Sequence, residues 1–172
     1  MKNLLLILSL TCSLALSAQS AQKVGCIDSK YIFSKIPDYA AAETKLKQMA
    51  ADWQKEIDAK KNSIDQLYKN FEADKILLSA EMKVKREQDI AKAEQELKDM
   101  QNQYFGAEGE LFKQREKLVK PIQDKVYKAI KDFAETKGYA VIIDKAGDVS
   151  VLYVNAKNEI SGDILKQLGY SN

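Results

Sequence analysis

Few residues in this sequence could carry out chemistry. It contains no histidine and two cysteines, Cys12 and Cys26. Without histidine, Ser-His-Asp and Cys-His nucleophile systems and imidazole-based metal sites are excluded. Two cysteines cannot supply a zinc cluster or a disulfide framework, and the chain has no glycine-rich phosphate loop of either common type. We therefore do not expect an enzyme, and we expect no cofactor.

Asp144 and Asp148 are the carboxylates whose spacing suggests a metal site. They flank a short loop around Gly147, and carboxylate oxygens are ligands that Ca²⁺ prefers. The sequence offers no third oxygen-rich position nearby, whereas aspartate side chains commonly stabilise turns by accepting hydrogen bonds from backbone N–H groups. A role in a turn is therefore favoured over a calcium site.

The charges of the chain are nearly balanced. Lysine and arginine number 27 against 25 aspartates and glutamates, and the formal net charge is +2. Electrostatics therefore gives no reason to expect nucleic acid or an anionic membrane surface as a partner. With 30% charged residues and two prolines, the composition is typical of a helix-rich, well-solvated protein.

The first 20 residues have the order of a secretory signal peptide. Lys2 provides one positive charge, an apolar run covers residues 4–16, and small residues follow. This run is short for a membrane span, so an uncleaved anchor helix is the weaker alternative. We predict cleavage near Ala18 or Ser20, export across the inner membrane, and no stable membrane span after the signal is removed.

Export would leave Cys26 as the one thiol of the mature chain, in an oxidising compartment. A lone exported cysteine can form an intermolecular disulfide. Its setting within the strand candidate Lys23–Ile27 is more typical of a small, buried apolar residue. Burial is the favoured interpretation.

Residues 40–137 predict a long α-helical hairpin. Alanine, lysine, glutamate, glutamine and leucine dominate this stretch, and apolar residues recur three or four positions apart in two series. Between the series, Ser79 can cap a new helix and Glu81 lies in its first turn. The first arm, about 38 residues long, would extend roughly 57 Å, so the hairpin must project from the rest of the chain. The first series is Leu46, Met49, Trp53, Ile57, Ile64, Leu67 and Phe71, and the second runs along one helix from Ile90 to Phe133.

Three residues should perturb the second arm. Pro121 lacks a backbone N–H and should kink the helix. Gly106 and Gly109 each cost roughly 1 kcal/mol relative to alanine in a helix. They either permit bending or allow a close approach, and the sequence leaves both open.

Short elements at the two ends of the mature chain predict a small β-rich base. The strand candidates are Lys23–Ile27, Tyr139–Ile143 and Val149–Val154, the last two forming a hairpin around Gly147. Three short strands leave unpaired edges and a very small core, so we expect an oligomer whose subunits meet at this base. The interface candidates are Val24, Cys26, Val141, Ile143, Val151 and Tyr153.

Four residues should mark helix ends near this base. Asp28 can cap a short helix that ends before Pro37, and Gly138 can end the long helix. Ser161 can cap a last helix that extends through Leu168.

The order of these elements resembles the Skp/OmpH family of periplasmic chaperones. The resemblance rests on Val24–Asp28, the short helix at 31–33, residues 117–123 followed by 138–144, and residues 160–168; the hairpin matches in pattern. It implies a jellyfish-like homotrimer in the periplasm, with a β-barrel-like body and three hairpin tentacles around a cavity. It also implies an ATP-independent holdase that encloses unfolded outer-membrane proteins in transit and prevents their aggregation.

The resemblance implies a division of the chain into three parts, and the chain differs from the family in its net charge. Residues 1–20 are the signal peptide, 21–37 and 138–172 the β-rich oligomerisation body, and 38–137 the coiled-coil hairpin. Well-known relatives are strongly basic, whereas this mature chain is nearly neutral. That weakens the case for acidic clients or lipopolysaccharide and shifts weight toward apolar contacts.

An apolar cluster at the hairpin turn is the candidate client-binding surface. A turn between two helices cannot cover all five side chains, so part of the cluster should contact clients. A hydrophobic staple that closes the turn is an equally open alternative. The five residues are Ile76, Leu77, Leu78, Met82 and Val84.

A structural envelope adaptor is the alternative function. Such a protein would use the coiled-coil hairpin to dock one folded partner, and it would not discriminate between folded and unfolded proteins.

Overall fold

The computed structural model describes residues 22–147 and 150–170. The predicted signal peptide therefore lies outside the described residues. These residues form a mainly α-helical fold with a small two-stranded sheet, as the sequence predicts. In chain order the elements are β1 (Lys23–Ile27), α1 (Ser29–Ser34), α2 (Pro37–Asp74), α3 (Ala80–Phe105), α4 (Glu110–Leu118), α5 (Lys120–Lys137), β2 (Tyr139–Asp144), a 3₁₀ turn (Ala156–Asn158) and α6 (Ser161–Gln167).

The chain divides into two compact units. One contains residues 36–127, and the other contains the described residues up to 35 and from 128 onward. We call the first the hairpin unit and the second the end unit. The division falls within α5, so the unit boundary does not coincide with the end of a helix.

Helices α2 and α3 form the predicted antiparallel hairpin. Tyr104 Oη donates to Glu56 at 2.5 Å, and Lys60 Nζ lies 2.6 Å from Glu96 Oε2. Tyr68 Oη donates to Glu94 at 2.8 Å. From Glu56 to Tyr68 along α2, the bonded residues on α3 run in the opposite direction, from Tyr104 to Glu94, as antiparallel packing requires. The buried side chains of the two helices are Ala42, Leu46, Ile57, Ile64 and Phe71 on α2 and Ile90 and Ala93 on α3.

The turn of the hairpin forms where the sequence places it. Leu77 N donates to Asp74 O at 2.8 Å. Ser79 is the N-cap of α3, and its hydroxyl accepts from Met82 N at 3.2 Å. Glu81 lies in the first turn, where a negative charge is favourable.

The second arm is not one helix, so the expectation of a single long stripe from Ile90 to Phe133 is wrong. Helix α3 ends at Phe105, and Gly106 N donates to Asn102 O at 2.9 Å. A Cβ atom on Gly106 would clash with the backbone oxygen of Asn102, so the close approach, rather than a helical bend, requires glycine here. Pro121 is the second residue of α5, where its missing N–H costs little. In place of the predicted kink at Pro121, one helix ends and another begins just before it, with Val119 as the C-cap of α4.

A small core lies at the end of the hairpin unit opposite the turn. Leu46 of α2 packs against fully buried Val119, and Arg115 Nη1 of α4 lies 3.4 Å from Glu43 Oε1. Partly buried side chains complete this core: Tyr39, Leu111, Leu118 and Ile122.

The end unit is built on a parallel pair of strands. β1 pairs with β2 in the register Val24 with Val141 and Cys26 with Ile143. On its other side, Cys26 O accepts a hydrogen bond from Ile160 N at 2.9 Å. Gly138 connects α5 to β2 with φ of 70°, in the left-handed region that glycine adopts without strain.

The predicted β-hairpin at 139–154 is not present in the described part of that segment, residues 139–147 and 150–154. β2 pairs with β1 from the start of the mature chain, and residues 150–155 form no strand. Residues 148 and 149 lie outside the described residues. A segment rich in β-branched residues needs a neighbouring strand to complete its hydrogen bonds. Within the described residues β2 pairs with β1, so residues 150–154 have no strand beside them.

Ser161 and Asp28 join the short helices of the end unit. Asp28 caps α1 as predicted, since its Oδ1 accepts from Tyr31 N at 2.9 Å. Ser161 is the first residue of α6 and not its N-cap. Its buried hydroxyl accepts from Asp28 N at 2.8 Å and donates to Glu159. Around this link α1 packs against α6, and each helix contributes a fully buried isoleucine, Ile32 and Ile164.

Asp144 organises the turn that follows β2. Its Oδ1 accepts from Ser29 N and from Ala146 N, each at 3.0 Å. Burial opposes ionisation of this carboxyl, but these hydrogen bonds and the charge of Lys30 outweigh it, so the pKa of Asp144 lies below its ordinary value. The carboxylate form therefore stabilises the end unit.

We expect Ser161→Ala to lower the free energy of unfolding by about 1–3 kcal/mol, because it leaves the partly buried N–H of Asp28 without its acceptor. Urea denaturation followed by circular dichroism would measure the change. Ser34→Ala is the matched control, since the Ser34 hydroxyl is exposed and bonds only within its own helix; it should change stability by less than about 0.5 kcal/mol. Equal effects of the two substitutions would contradict the assigned link.

Asp144→Asn should destabilise the protein at neutral pH and lose its effect in acid. Because the pKa of Asp144 is depressed on folding, its contribution is present above the ordinary aspartate pKa of about 3.9. The contribution is lost as pH falls through the depressed value. Thermal denaturation of both proteins at neutral pH and at successively lower pH would measure this, and a difference that stays constant into acid would contradict the prediction.

Candidate functional site

The apolar cluster at the hairpin turn is open to solvent. Ile76 is 92% exposed and Leu77 85% exposed, and about half of the Met82 and Val84 side chains is accessible. Leu78 is partly buried. A hydrophobic staple would remove these side chains from water, and Ile76 and Leu77 bury almost no area. The structure therefore brings all five predicted residues to one end of the hairpin, and it leaves four of them available for contact.

The ion pairs of the hairpin are ordinary features of a helix surface. They are mostly exposed and lie within one helix, such as Lys55 with Asp52 at 3.2 Å and Lys75 with Glu72 at 3.0 Å. Exposed pairs of this kind contribute little stability. The apolar turn is thus the feature that distinguishes this end of the hairpin from an ordinary solvated helix surface.

The predicted interface residues gather around one hollow in the end unit. This hollow has a volume of about 240 Å³. Val141 does not line it, but Val141 is half exposed and stands beside Val24 in the register of the two strands. Tyr153 is 81% exposed. The candidates that line the hollow are Val24, Cys26, Ile143, Val151 and Tyr153.

Leu152 is an apolar side chain that the sequence analysis did not single out. It is 96% exposed, next to Tyr153 in the segment that forms no strand. Its sequence signal is the alternation of residues 149–154, which cannot tell an inward from an outward position when the face of the strand is unknown.

Cys26 is buried, as the favoured interpretation predicts. Its side chain is 5% exposed, and burial raises the pKa of the thiol. The thiolate is the form that attacks disulfides, so this environment disfavours intermolecular disulfide formation.

The favoured turn role of Asp144 agrees with its two backbone hydrogen bonds. Asp148, its partner in the calcium alternative, lies outside the described residues. Across residues 22–147 and 150–170, no three histidine, cysteine, aspartate or glutamate side chains are grouped as a metal site.

A second cleft in the end unit has mixed charge and was missed in the sequence. It has a volume of about 460 Å³. Lys145 Nζ lies 3.9 Å from Asp28 and 3.9 Å from Glu159 across this cleft. These three residues are far apart in the sequence, so no local pattern could have indicated that they meet.

None of the described helices combines the length and the apolar character that a membrane crossing requires.

Comparisons with known proteins agree with this architecture. A protein of Aquifex aeolicus (strain VF5), named only as uncharacterized, is 27% identical over 143 residues, which are 83% of each chain. A crystal structure from Caulobacter crescentus CB15, described as a proposed outer membrane chaperone (OmpH-like), superposes with a TM-score of 0.65 at 12% identity, covering 88% of this chain and 86% of that one. The sequence profile of the family described as "Outer membrane protein (OmpH-like)" matches residues 23–168. This chain therefore belongs to the OmpH-like family.

Proposed function

We propose that the protein is an ATP-independent holdase of the periplasm, which encloses unfolded outer-membrane proteins in transit and prevents their aggregation. The observation that carries the proposal is the solvent-exposed apolar turn, with Ile76 and Leu77 almost entirely accessible. Membership of the OmpH-like family supports the chaperone class.

An exposed apolar turn suits the capture of unfolded chains. Burial of apolar surface is favourable and non-directional, so it does not require a folded partner of fixed shape. Each contact is weak and reversible, and several contacts made by linked copies bind far more tightly than one. Holding of this kind includes no chemical step and consumes no nucleotide.

The end unit supports self-association in this proposal. Leu152 and Tyr153 are almost fully exposed beside the hollow that Val24 helps to line. Exposed apolar residues grouped in this way indicate an interaction surface. We propose that three copies meet here as a homotrimer, which places three apolar turns in one assembly.

The predicted signal peptide at 1–20 would deliver the chain to the periplasm. The family match begins at residue 23, just after that segment, which agrees with a leader that lies outside the part shared by the family.

Substitution of the exposed turn should weaken client holding. We expect Ile76→Ser with Leu77→Ser to reduce suppression of the aggregation of a denatured β-barrel protein, because the change removes apolar contact area. Light scattering without ATP, at near-stoichiometric trimer, would measure it, and the concentration for half suppression should rise about threefold or more.

Phe112→Ser is the matched control for this experiment. Phe112 is a half-exposed apolar side chain of the same unit, on α4 and outside the turn. Equal suppression by wild type and the turn variant would contradict the role of the turn. Tight stoichiometric binding of one folded protein, without suppression of aggregation, would favour the adaptor.

Charged substitutions in the end unit should disrupt the trimer. We expect Val141→Asp with Tyr153→Asp to lower the solution mass from three chains to one, because each would desolvate a carboxylate in an apolar interface. Light scattering coupled to size exclusion measures the mass. Lys157→Asp, a polar position on the nearby 3₁₀ turn, serves as the control, and an unchanged mass of the double variant would contradict the assigned interface.

A further inference from the structure

A groove lies between α2 and α3 in the half of the hairpin next to the turn. Its volume is about 190 Å³, which suits a single long side chain rather than a folded partner. Phe71 and Ile90 form its floor, and both are buried in the seam between the helices. Tyr68 lines one wall. We call this the floor groove.

The rim of the floor groove carries one sign of charge. Glu72, Glu87 and Glu94 line it, and none of its lining residues is a lysine or arginine. Glu94 accepts a hydrogen bond from Tyr68 Oη at 2.8 Å. In the part of the chain that the structure describes, Glu87 makes no ion pair or side-chain hydrogen bond. A chain that is nearly neutral overall thus presents a local negative rim over an apolar floor.

A lysine of the chain itself shows which chemistry this rim attracts. Lys75 Nζ lies 3.0 Å from Glu72 Oε1 and 5.4 Å from the centroid of the Phe71 ring. One cation is therefore held by a rim carboxylate and faces the aromatic ring of the floor. Both partners of the ion pair remain about half exposed, so a competing cation can replace Lys75 at little cost.

We propose that the floor groove binds a lysine or arginine side chain of an extended, apolar client segment. The aliphatic stem of such a residue lies on Phe71 and Ile90, as long cationic side chains do on apolar surfaces. Its charged head reaches Glu87 and Glu94, where charge-assisted hydrogen bonds form. This inference rests on the proposed holdase function and specifies the client segment as basic and apolar.

The test uses two labelled peptides and the full mature protein. One short peptide contains leucine and lysine, and the other has glutamate in place of every lysine. Fluorescence anisotropy should show tighter binding of the lysine peptide, and that binding should weaken as salt is added. The combined substitutions Glu72→Gln, Glu87→Gln and Glu94→Gln should weaken it about tenfold, equivalent to about 1.4 kcal/mol.

A second variant with the same change in net charge provides the control. Asp58→Asn, Glu81→Gln and Asp99→Asn together alter carboxylates of the hairpin that do not line the floor groove. This variant should bind the lysine peptide within about twofold of wild type. Circular dichroism of both variants establishes that the helices are retained.

Three results would overturn the proposal. They are equal affinity for the two peptides, equal weakening by the two triple variants, or loss of self-association in the groove variant with unchanged peptide binding. The last result would assign the floor groove to another copy of this chain. Wild type that suppresses aggregation but binds neither peptide rejects the groove and leaves the holdase function standing. Groove-dependent peptide binding without suppression of aggregation rejects the holdase function instead.

Discussion

One narrow seam of apolar side chains between α2 and α3 is the interaction on which the hairpin depends. Two helices side by side can bury only one stripe each, so stability is spread along the seam instead of collecting in a central core. Ile57, Ile64 and Ile90 belong to this seam. Cross-arm contacts such as Lys60 with Glu96 contribute little energy at the surface, but a slip of one turn, about 5.4 Å, would separate them. They therefore favour one register over its neighbours.

Local signals in the sequence were sufficient for the parts of the fold that depend on local geometry. Asp28 and Ser79 cap helices with their side chains, and Gly138 adopts the positive φ that ends a helix. The periodicity around Leu46 and Phe71 predicted the buried stripe of α2. The exposure of Ile76 follows from the same kind of argument, since a turn between two helices offers no third surface to cover it.

Features that depend on contacts distant in sequence could not be predicted in this way. The pairing of β2 with β1 could not be predicted from a local pattern, which favours the nearer segment at 149–154 as the partner strand. The hydroxyl of Ser161 accepts a hydrogen bond from the backbone N–H of Asp28. A residue predicted to cap its own helix, α6, therefore binds instead to the N-cap residue of α1. The acidic rim around Phe71 combines residues from two helices. At Gly106 the sequence indicated a weak point but not a complete interruption.

The interruption at Gly106 divides the cooperativity of the hairpin. The regular helical hydrogen bonding of the second arm is interrupted between Phe105 and Glu110, where Gly109 N donates to Gly106 O in a tight turn, while α2 continues unbroken beside it. Fraying that starts at the turn should therefore stop at this interruption, because local opening spreads along continuous helical hydrogen bonding and ends where that bonding is interrupted. Amide protons of α3 can exchange with solvent through such openings while the core around Val119 stays protected. The turn end of the hairpin is thus free to loosen and re-form without unfolding the core at its other end.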